Sequence, residues 1–297
     1  SSNPGIPIQK KLECCGTGRG LDVSGNYAYL AEQGAGLGIY DISDPNNISA
    51  PVYQGTNGFG DTQGYAYDVV IKGNYAYVAV GNEGLAVIDI LDPMNPGTPI
   101  FKDGIYGGVL RLAIQGNYAY FPTSATDLGI IDISDPTNPG SPIQFELNDN
   151  NTDGNDIAMS GNYAFITFRS GIAIIDISDP SNPGTPVYYD IGRARVGIDI
   201  SDNYLYVGTE DKGLAIIDIS DPLNPGSPVY VAIPNDTYIT GLDVIGDYAY
   251  FSSRYKLGVI DISDPLNPGA PVFFNATGDH KDVVIQENYA YLVSLNY

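Results

Sequence analysis

The sequence lacks residues and motifs that metalloproteins with histidine ligands, serine hydrolases and membrane-spanning proteins require. Only one of its 297 residues is a histidine, His280, which excludes a metal site built from several histidines. The chain also lacks a Gly-x-Ser-x-Gly motif and the Ser, His and Asp ordering of serine hydrolases, so we expect His280 to lie in a loop and not to be catalytic. No apolar run approaches the ~18 residues that cross a bilayer, and we expect no direct membrane insertion.

Basic residues are also scarce. The chain has 13 Lys and Arg against 35 Asp and Glu, which gives a formal net charge of −22. Nucleic acid is excluded as a partner because phosphate binding requires a basic face, whereas cations and basic partners are favoured. The only two cysteines, Cys14 and Cys15, are adjacent, so the chain has no disulfide framework. They either form a vicinal disulfide or remain two thiols, and both interpretations stay open.

Tyrosine, glycine and proline are abundant, with 24, 36 and 21 residues, a composition typical of many short strands joined by tight turns. Seven hairpin phrases of the type "GNYAY" recur at intervals of 41 to 48 residues, and their first tyrosines are Tyr27, Tyr75, Tyr118, Tyr163, Tyr204, Tyr248 and Tyr289. A second phrase of the type "LAIIDISDP" follows six of them. A repeat of this length with only strand signals predicts the blades of a β-propeller.

One period predicts four strands. Residues 68–73 alternate between apolar and polar types and form the first strand, which a two-residue Gly-Asn turn joins to the second strand at 75–80. Residues 85–90 are apolar on both faces, as in a strand buried between blades. The proline-rich turn that follows leads into a fourth strand at 98–104, whose leading proline suits an outer edge.

We therefore expect one all-β domain over residues 1–297, a seven-bladed β-propeller of four-stranded antiparallel blades closed by the N-terminal strand. Residues 1–12 read as a turn and a fourth strand, and residues 281–297 read as a first and a second strand of the same seventh blade. That blade has no third-strand phrase. Either the natural chain continues past Tyr297, which we favour, or the blade is short, or another chain fills the gap.

The third-strand phrase resembles the LVIVD repeat, a propeller repeat of bacterial and archaeal surface or secreted proteins. It reads "LAVID" at 85–89 and "LAIID" at 214–218. The resemblance implies a propeller in an extracellular or cell-surface setting, and the family has no shared catalytic residues to transfer. The chain departs from the pattern in its short seventh unit and in Asp202, which replaces the turn glycine.

The repeats allow the two faces of the predicted disk to be compared. The uniform face carries the turns between first and second strands and the "SDPxNPG" turns, which barely vary. The divergent face carries the turns between second and third strands and the connections between blades, which differ in length and chemistry. Variable loops on a rigid scaffold usually serve recognition, so we expect ligands to bind the divergent face and the adjoining channel mouth.

A calcium site is predicted in the polar connection at residues 148–156. Asp149, Asn151 and Asp153 have the spacing of the first ligands of a calcium loop, Gly154 permits the sharp turn, and Asp156 adds an oxygen. The acidic residue usual at position 12 is replaced by Ser160, so the match is partial. The alternative is a solvated loop rich in Asn and Asp.

A second candidate site is a ring at the channel mouth. The residue six positions before each hairpin Asn or Asp is, in chain order, Gly20, Asp68, Arg111, Asp156, Gly197, Gly241 and Asp282. With Arg19 and Lys281, these side chains form a polar funnel suited to a cation, a sugar or a peptide terminus, or else a water-filled channel whose charges compensate one another. Tyrosines outside the "NYAY" phrase are further ligand candidates: Tyr65, Tyr67, Tyr106, Tyr238 and Tyr255.

These observations predict an extracellular, non-enzymatic recognition or assembly module that binds calcium. Its expected partners are other surface proteins, its own subunits or glycans. Two alternatives remain open. One is a calcium-dependent enzyme that uses carboxylates on an extracellular polymer, since glycosidases need only two acids. The other is a lectin that binds carbohydrate through tyrosines of the divergent face.

Overall fold

The computed structural model describes residues 17–56, 65–105, 107–123, 127–147, 154–234 and 238–295. These residues form six four-stranded antiparallel sheets and one two-stranded sheet. Each four-stranded sheet is a meander in which consecutive strands are hydrogen-bonded neighbours. In the described residues no helix is long and apolar enough to cross a membrane.

The strands of the first three blades are numbered in chain order. Blade 1 contains β1 (Thr17–Ser24), β2 (Tyr27–Gln33), β3 (Gly36–Asp41) and β4 (Val52–Gln54). Blade 2 contains β5 (Asp68–Lys72), β6 (Tyr75–Ala79), β7 (Leu85–Asp89) and β8 (Ile100–Lys102). Blade 3 contains β9 (Ala113–Gln115), β10 (Tyr118–Thr123), β11 (Asp127–Asp132) and β12 (Ile143–Phe145).

The numbering continues through the remaining sheets. Blade 4 contains β13 (Asp156–Ser160), β14 (Tyr163–Phe168), β15 (Gly171–Asp176) and β16 (Val187–Tyr189). Blade 5 contains β17 (Ala194–Ser201), β18 (Tyr204–Thr209), β19 (Gly213–Asp218) and β20 (Val229–Val231). Blade 6 contains β21 (Gly241–Ile245), β22 (Tyr248–Ser253), β23 (Lys256–Asp261) and β24 (Val272–Asn275). The seventh sheet contains β25 (Asp279–Gln286) and β26 (Tyr289–Leu295).

The prediction of seven four-stranded blades is wrong. The structure is a six-bladed propeller, and the seventh repeat forms only a two-stranded sheet among the described residues. The physical reason is visible in the sequence, because this repeat has no apolar third-strand phrase to pair with β26. The proposed closing strand within residues 1–12 lies outside the described residues.

The two-stranded sheet closes the ring between blade 6 and blade 1. The backbone N–H of Leu21 donates to Asp282 over 3.1 Å, and the Gln286 side chain donates to the Gly25 carbonyl over 3.1 Å. Both bonds join the first described repeat to the last one. The all-β propeller class is therefore confirmed, with six full blades and a smaller sheet in the closing position.

The hairpin turns follow the predicted chemistry. The first residue of the turn between the first and second strands has positive φ in all seven described hairpins, for example +57° at Gly25 and +59° at Gly73. Asp202 and Glu287 adopt the same conformation at +52° and +53°, although a non-glycine residue pays a steric penalty there. The turn geometry is thus imposed by the hairpin and retained where glycine has been replaced.

The apolar core lies between neighbouring sheets, not within one central cluster. The third strands are buried on both faces; in β7, Leu85, Ala86, Val87 and Ile88 are all at most 1% exposed. The second tyrosine of the hairpin phrase packs into the same interfaces, as Tyr77 does between blades 2 and 3. This tyrosine is thus a packing residue between blades.

Candidate functional site

The first strands of the sheets line a central channel with a polar cavity. The cavity has a volume of about 110 Å³, and the residues that line it are Asp68, Arg111, Asp156, Gly197, Ile198, Thr240, Gly241, Leu242 and Asp282. The four charged residues of the predicted ring, Asp68, Arg111, Asp156 and Asp282, are therefore brought together. Three of them are carboxylates and one is a guanidinium.

Every first strand except that of blade 3 contributes one aspartate to this channel, at one of two positions. Where the ring position is aspartate, as at Asp68, the residue two positions later is apolar. Where the ring position is glycine, as at Gly20, the aspartate comes two residues later, at Asp22. The six aspartates of this set, called the ring aspartates below, are Asp22, Asp68, Asp156, Asp199, Asp243 and Asp282.

Each ring aspartate accepts a hydrogen bond from the backbone of the next sheet around the channel. The donors are the N–H groups of Ile71 to Asp22 at 2.7 Å, Leu112 to Asp68 at 3.0 Å, Gly197 to Asp156 at 2.8 Å, Val244 to Asp199 at 2.7 Å, Ile285 to Asp243, and Leu21 to Asp282 at 3.1 Å. Each of these donors lies on the inner edge of the propeller, where no further strand can pair with it. The carboxylates therefore satisfy inner-edge donors and connect adjacent sheets.

The second oxygen of the carboxylate is usually engaged within its own strand. In five ring aspartates Oδ1 accepts the N–H of the following residue: Val23, Val69, Ile157, Ile200 and Val283, over 2.7 to 3.0 Å. Two hydrogen bonds from backbone groups hold each carboxylate in one orientation. This arrangement is a structural clamp between sheets, repeated around the channel.

Blade 3 provides the single exception, and its ring position is Arg111. Its Nε lies 3.9 Å from Asp156 of blade 4, and Nη1 lies 3.8 Å from Asp68 of blade 2. The guanidinium thus replaces the carboxylate clamp with an ion pair on each side. Burial by itself lowers the pKa of Arg111, but the surrounding carboxylates outweigh burial and raise it, so the side chain stays charged.

The glycines at the ring position make space for the neighbouring carboxylate. A Cβ at Gly20 would lie 2.4 Å from Oδ1 of Asp68, and a Cβ at Gly241 would lie 2.7 Å from Oδ1 of Asp282. Both distances are well below van der Waals contact. Glycine in one sheet and aspartate in the next are therefore complementary halves of one junction.

Burial raises the pKa of every ring aspartate, and the backbone hydrogen bonds only partly oppose this effect. The pKa is about 6 for Asp22 and Asp68, about 7 for Asp199 and about 8 for Asp282. For Asp68 and Asp282 the positive charge of Arg111 opposes the increase. The channel therefore takes up protons between about pH 8 and pH 6.

The remaining predicted ligand residues do not line the cavity. The Tyr67 ring packs over Gly81, whose Cβ would lie 3.0 Å from it. Lys281 pairs with Asp279 over 3.1 Å. Nε of Arg19 is buried without a hydrogen-bond partner among the described residues. The funnel predicted at the channel mouth is thus divided, with the carboxylates and Arg111 inside and these three residues outside the cavity.

Sequence reasoning missed Asp22, Asp199 and Asp243. In these three repeats the sequence pattern was read only at the glycine two positions earlier, so no side chain was assigned to that part of the ring. The signal that identifies them is the complementary pattern between repeats, Gly-x-Asp in some first strands and Asp-x-apolar in the others. A polar residue recurring on an otherwise apolar inner strand is expected to satisfy backbone groups there.

The predicted metal and cysteine sites fall largely outside the described residues. This applies to Asp149, Asn151 and Asp153 and to Cys14 and Cys15. Asp156 is described, and its carboxylate is engaged by Arg111, Ile157 and Gly197 in the channel. Within the described ranges no group of three or more His, Cys, Asp or Glu side chains is arranged to hold a metal ion.

His280 is not a loop residue as expected. It lies within β25 and is 5% exposed, and burial lowers the pKa of its imidazole. Neither ring nitrogen has a hydrogen-bond partner in the described part of the chain. His280 lies two residues before the ring position Asp282, and the equivalent residues of blades 2 and 3, Ala66 and Val109, are small or apolar and buried.

The divergent face concentrates cationic and aromatic side chains in blades 5 and 6. Three cations lie over aromatic rings: Lys212 over Tyr230 at 4.7 Å, Arg254 over Tyr255 at 5.4 Å, and Lys256 over Phe273 at 5.2 Å from the ring centroid. Tyr238 and Tyr255, two of the predicted ligand tyrosines, are 57% and 54% exposed. Exposed aromatic side chains flanked by cations are characteristic of recognition surfaces.

A second cavity opens on the outer part of blade 4. Its volume is about 260 Å³, and it is lined by Phe168, Ser170, Gly171, Ile172, Tyr188, Tyr189 and Asp190. Tyr188 occupies the fourth-strand position that Tyr230 and Phe273 occupy in blades 5 and 6. A lysine covers the ring in those two blades, whereas Tyr188 is 45% exposed.

Comparison with solved structures identifies the same architecture. The chain is similar to the computationally designed Ika8 protein, with 11% identity, a TM-score of 0.65 and 95% of each chain covered. It is also similar to the RRP9 WD40 repeats, with 11% identity, a TM-score of 0.70, and 91% of this chain and 84% of that one covered. The Cps50 (Swd1) propeller domain of Myceliophteria thermophila gives 11% identity and a TM-score of 0.67, with 92% of this chain and 90% of that one covered. At this identity the likeness concerns the fold alone.

Comparison with protein families gives a more specific result, although no curated protein matches the chain. The model of the LVIVD repeat matches seven stretches: residues 15–54, 63–104, 106–143, 152–190, 192–233, 238–272 and 277–297. The seventh match is about half as long as the first, in agreement with the two-stranded seventh sheet. The matches cover most of the sequence and confirm the resemblance inferred from the third-strand phrase. The chain belongs to the LVIVD-repeat family.

Proposed function

We propose that this protein is a non-enzymatic recognition or assembly module that binds a partner protein through the divergent face of blades 5 and 6. The observation that carries the proposal is the contrast between the two faces. On the uniform face the aspartates close repeated turns, whereas the divergent face presents the exposed Tyr238 and Tyr255, with Arg254 over the Tyr255 ring. An exposed surface of this composition suits an acidic or mixed-charge protein surface.

The state of the channel carboxylates supports a non-catalytic role. Carboxylate catalysis on a polymer needs two acids free to reach a substrate in a cleft. Asp22, Asp68, Asp156, Asp199 and Asp282 each accept backbone hydrogen bonds on both oxygens. Their orientation is fixed by the junctions between sheets, so they are poorly placed to act as an acid and a base.

Site-specific photo-crosslinking tests the recognition surface. A crosslinking amino acid at Tyr255 is expected to give a discrete adduct with an extracellular protein of the source organism, and excess unlabelled chain should compete for it. The Tyr238→Ala change should weaken that adduct. The matched control is a crosslinker at Leu266, which is 59% exposed on the uniform face and should give no adduct. Equal labelling at both positions, or none at Tyr255, would contradict the proposal.

A carbohydrate-binding role is the second candidate, and the cavity of blade 4 favours it. Tyr188 supplies an exposed aromatic face beside the Asp190 carboxylate, a combination suited to stacking on a sugar ring and accepting its hydroxyl hydrogen bonds. Binding on a glycan array that is lost with Tyr188→Ala but retained with Tyr255→Ala would assign the function to blade 4.

Extracellular location and calcium binding are further parts of the proposal. The acidic composition and the surface setting of LVIVD-repeat proteins support the location. The spacing of Asp149, Asn151 and Asp153 supports a calcium ion in the connection that precedes blade 4. Calcium should appear in native mass spectra and raise the melting temperature, and a melt unchanged by chelator would contradict it.

A further inference from the structure

The central residue of the outer strand is aromatic in five of the six blades. These residues pair with a small residue of the third strand, as Tyr230 does with Ala215, and they are Tyr53, Phe101, Tyr188, Tyr230 and Phe273. Glycine or alanine covers little of the ring. The ring face can therefore receive a second contact from a side chain that lies over it.

In blades 5 and 6 this second contact is a lysine of the same blade. Nζ of Lys212 lies 4.7 Å from the centroid of the Tyr230 ring and 3.3 Å from its hydroxyl oxygen. Nζ of Lys256 lies 5.2 Å from the centroid of the Phe273 ring. The face of an aromatic ring attracts a cation electrostatically. The hydrogen bond to Tyr230 and nearby carboxylates, Asp190 among them, raise the pKa of Lys212, so its ammonium stays charged.

Blade 4 has the aromatic ring and a carboxylate, but a serine at the lysine position. Ser170 is the last residue before β15, as Lys212 is the last residue before β19. Tyr188 is 45% exposed and lines the cavity of about 260 Å³ together with Ser170 and Asp190. A serine side chain is too short to extend over the ring. The space that a lysine occupies in blade 5 therefore belongs to the cavity in blade 4.

Two tyrosines in the wall of this cavity are held by the neighbouring blades. The Tyr188 hydroxyl donates to the carbonyl of Leu147, which follows blade 3. The Tyr189 hydroxyl donates to the carbonyl of Gly226 in blade 5 over 2.7 Å. Since both hydroxyl groups are engaged as donors, a ligand meets the rings by their faces. This geometry favours a cation.

The rest of the lining matches the two parts of a lysine side chain. Phe168 and Ile172 are at most 2% exposed and form the apolar part, whereas Ser170 and Asp190 are exposed. An alkyl stem can pack on the apolar part while its ammonium stays near the carboxylate. The volume of about 260 Å³ is below the roughly 300–1,000 Å³ of pockets that enclose drug-sized ligands, which suits a single side chain.

We propose that the cavity of blade 4 binds a lysine side chain of a partner protein, with the ammonium over the Tyr188 ring and beside the Asp190 carboxylate. The bound lysine would repeat the contact that Lys212 makes with Tyr230 within this chain. The formal net charge of −22 favours a basic partner. The inference rests on the recognition role proposed above, extends it to blade 4, and assigns the cavity to a cation in place of a sugar.

Titration with a capped lysine tests the site. The probe, N-acetyl-lysine methylamide, is added to the full 297-residue chain, and NMR follows the backbone amides of residues 170–172 and 188–190. Saturable shifts are expected at about millimolar probe, because a single side chain binds weakly. Tyr188→Leu should weaken binding about fivefold to tenfold by removing the cation–ring contact. Asp190→Asn should weaken it about threefold. The Nε-acetylated probe keeps the stem without the charge and should not bind.

Filling the cavity from within gives a sharper test. Ser170→Lys places a lysine where Lys212 stands in blade 5 and should abolish binding of the probe, because the chain's own ammonium then lies over Tyr188. Ser170→Ala is the matched control and should bind the probe as the unchanged chain does. The reverse change, Lys212→Ser, should create a second site, detected by new shifts near Tyr230. Both substituted positions are exposed, so the variants should fold.

Four outcomes would overturn the proposal. The first is an absence of saturable shifts, and the second is equal binding of the Nε-acetylated probe. The third is unchanged binding by Ser170→Lys. The fourth is weaker binding by Arg169→Ala, since loss of the other cation of this turn should not weaken a cationic ligand. Glycan binding lost with Tyr188→Ala, without lysine binding, would assign the cavity to a sugar. Crosslinking at Tyr255 probes a different surface, so it can succeed or fail independently of this experiment.

Discussion

Two sets of aspartates in this molecule differ in their burial, in their hydrogen-bond partners and in the direction of their pKa shifts. The ring aspartates lie in the channel and connect adjacent sheets, and burial raises their pKa. The turn aspartates of the "DISDP" phrase are partly or fully exposed on the uniform face. There Asp41 accepts the N–H of Ser43 over 2.9 Å, and hydrogen bonds from Ser43 lower its pKa.

The comparison shows that the structural role of an aspartate depends on where the fold places it. The turn aspartates explain why the third-strand phrase recurs so faithfully, since each closes a local turn, as Asp132 and Asp176 also do. The ring aspartates perform a long-range task, and each joins residues more than forty positions apart, such as Asp22 and Ile71. A large share of the negative charge therefore has a structural role. The channel carboxylates are for this reason poor candidates for a partner-binding site.

The largest expected effect comes from removing Arg111, the arginine that lines the channel cavity between Asp68 and Asp156. Arg111→Met should destabilise the protein by about 3–4 kcal/mol at pH 7.5, because it leaves the buried carboxylates of Asp68 and Asp156 without their counter-charge. Urea unfolding measures it. Arg193→Met is the matched control, since the Arg193–Glu210 pair is exposed and should contribute less than about 1 kcal/mol. Equal effects of the two changes would contradict a buried ion pair.

A smaller effect is expected from filling the space that a ring glycine leaves for the next carboxylate. Gly20→Ala should destabilise by about 2–3 kcal/mol, because its Cβ would meet both Oδ1 and the backbone of Asp68. Gly55→Ala is the control, since no atom lies within 4 Å of that Cβ. Thermal unfolding of the two variants separates them, and similar melting temperatures would argue against the glycine–aspartate junction.

Removing one clamp should have a more modest effect. Asp22→Ala leaves the N–H groups of Ile71 and Val23 without their acceptor, at a cost of about 1–2 kcal/mol. The matched change in the exposed set, Asp41→Ala, removes a local turn bond and should destabilise less. Urea titration of both variants ranks the two sets of aspartates directly, and a reversed order would break the comparison.

A further expected effect, given as a direction and outside this order of size, is a dependence of stability on pH. Unfolded aspartates titrate near 3.8, whereas four ring aspartates titrate between about 6 and 8 in the folded state. The folded state therefore holds protons that the unfolded state releases, so the free energy of unfolding should rise as pH falls from 8 to 5. The lowered pKa of His280 acts in the opposite direction but concerns one group. Melting curves at pH 5 and pH 8 measure the difference.

Much of the fold could be read from the sequence because it is repeated. The hairpin tyrosines and third-strand phrases predict the strands of every full blade, and the structure places β5 to β8 close to the predicted boundaries. The predicted number of full blades was wrong, because a repeat was counted from its hairpin although its described residues form only two strands. The hairpin phrase alone does not distinguish a hairpin from a complete blade.

The candidate site was harder to predict, for a physical reason. The sequence shows which residues neighbour a first-strand aspartate along the chain. It does not show which backbone N–H group of the next sheet will bind that carboxylate. Asp68 and Asp282 were expected at the channel mouth and line its cavity, yet the backbone N–H groups that bind their carboxylates belong to Leu112 and Leu21. His280 was expected in a loop because it is the only histidine and fits neither a histidine metal cluster nor a catalytic motif. Such partners become visible only once the ring is assembled.

The most direct test of the structural role of the ring aspartates is carbon-13 NMR titration of the aspartate side chains. Two groups of midpoints are expected. The pKa values of Asp22, Asp68, Asp199 and Asp282 should lie between about 6 and 8. The pKa values of Asp41, Asp132 and Asp176 in the turns should lie below the ordinary value of an aspartate. A single group of midpoints near pH 4 would contradict the claim that these carboxylates are buried clamps between the sheets.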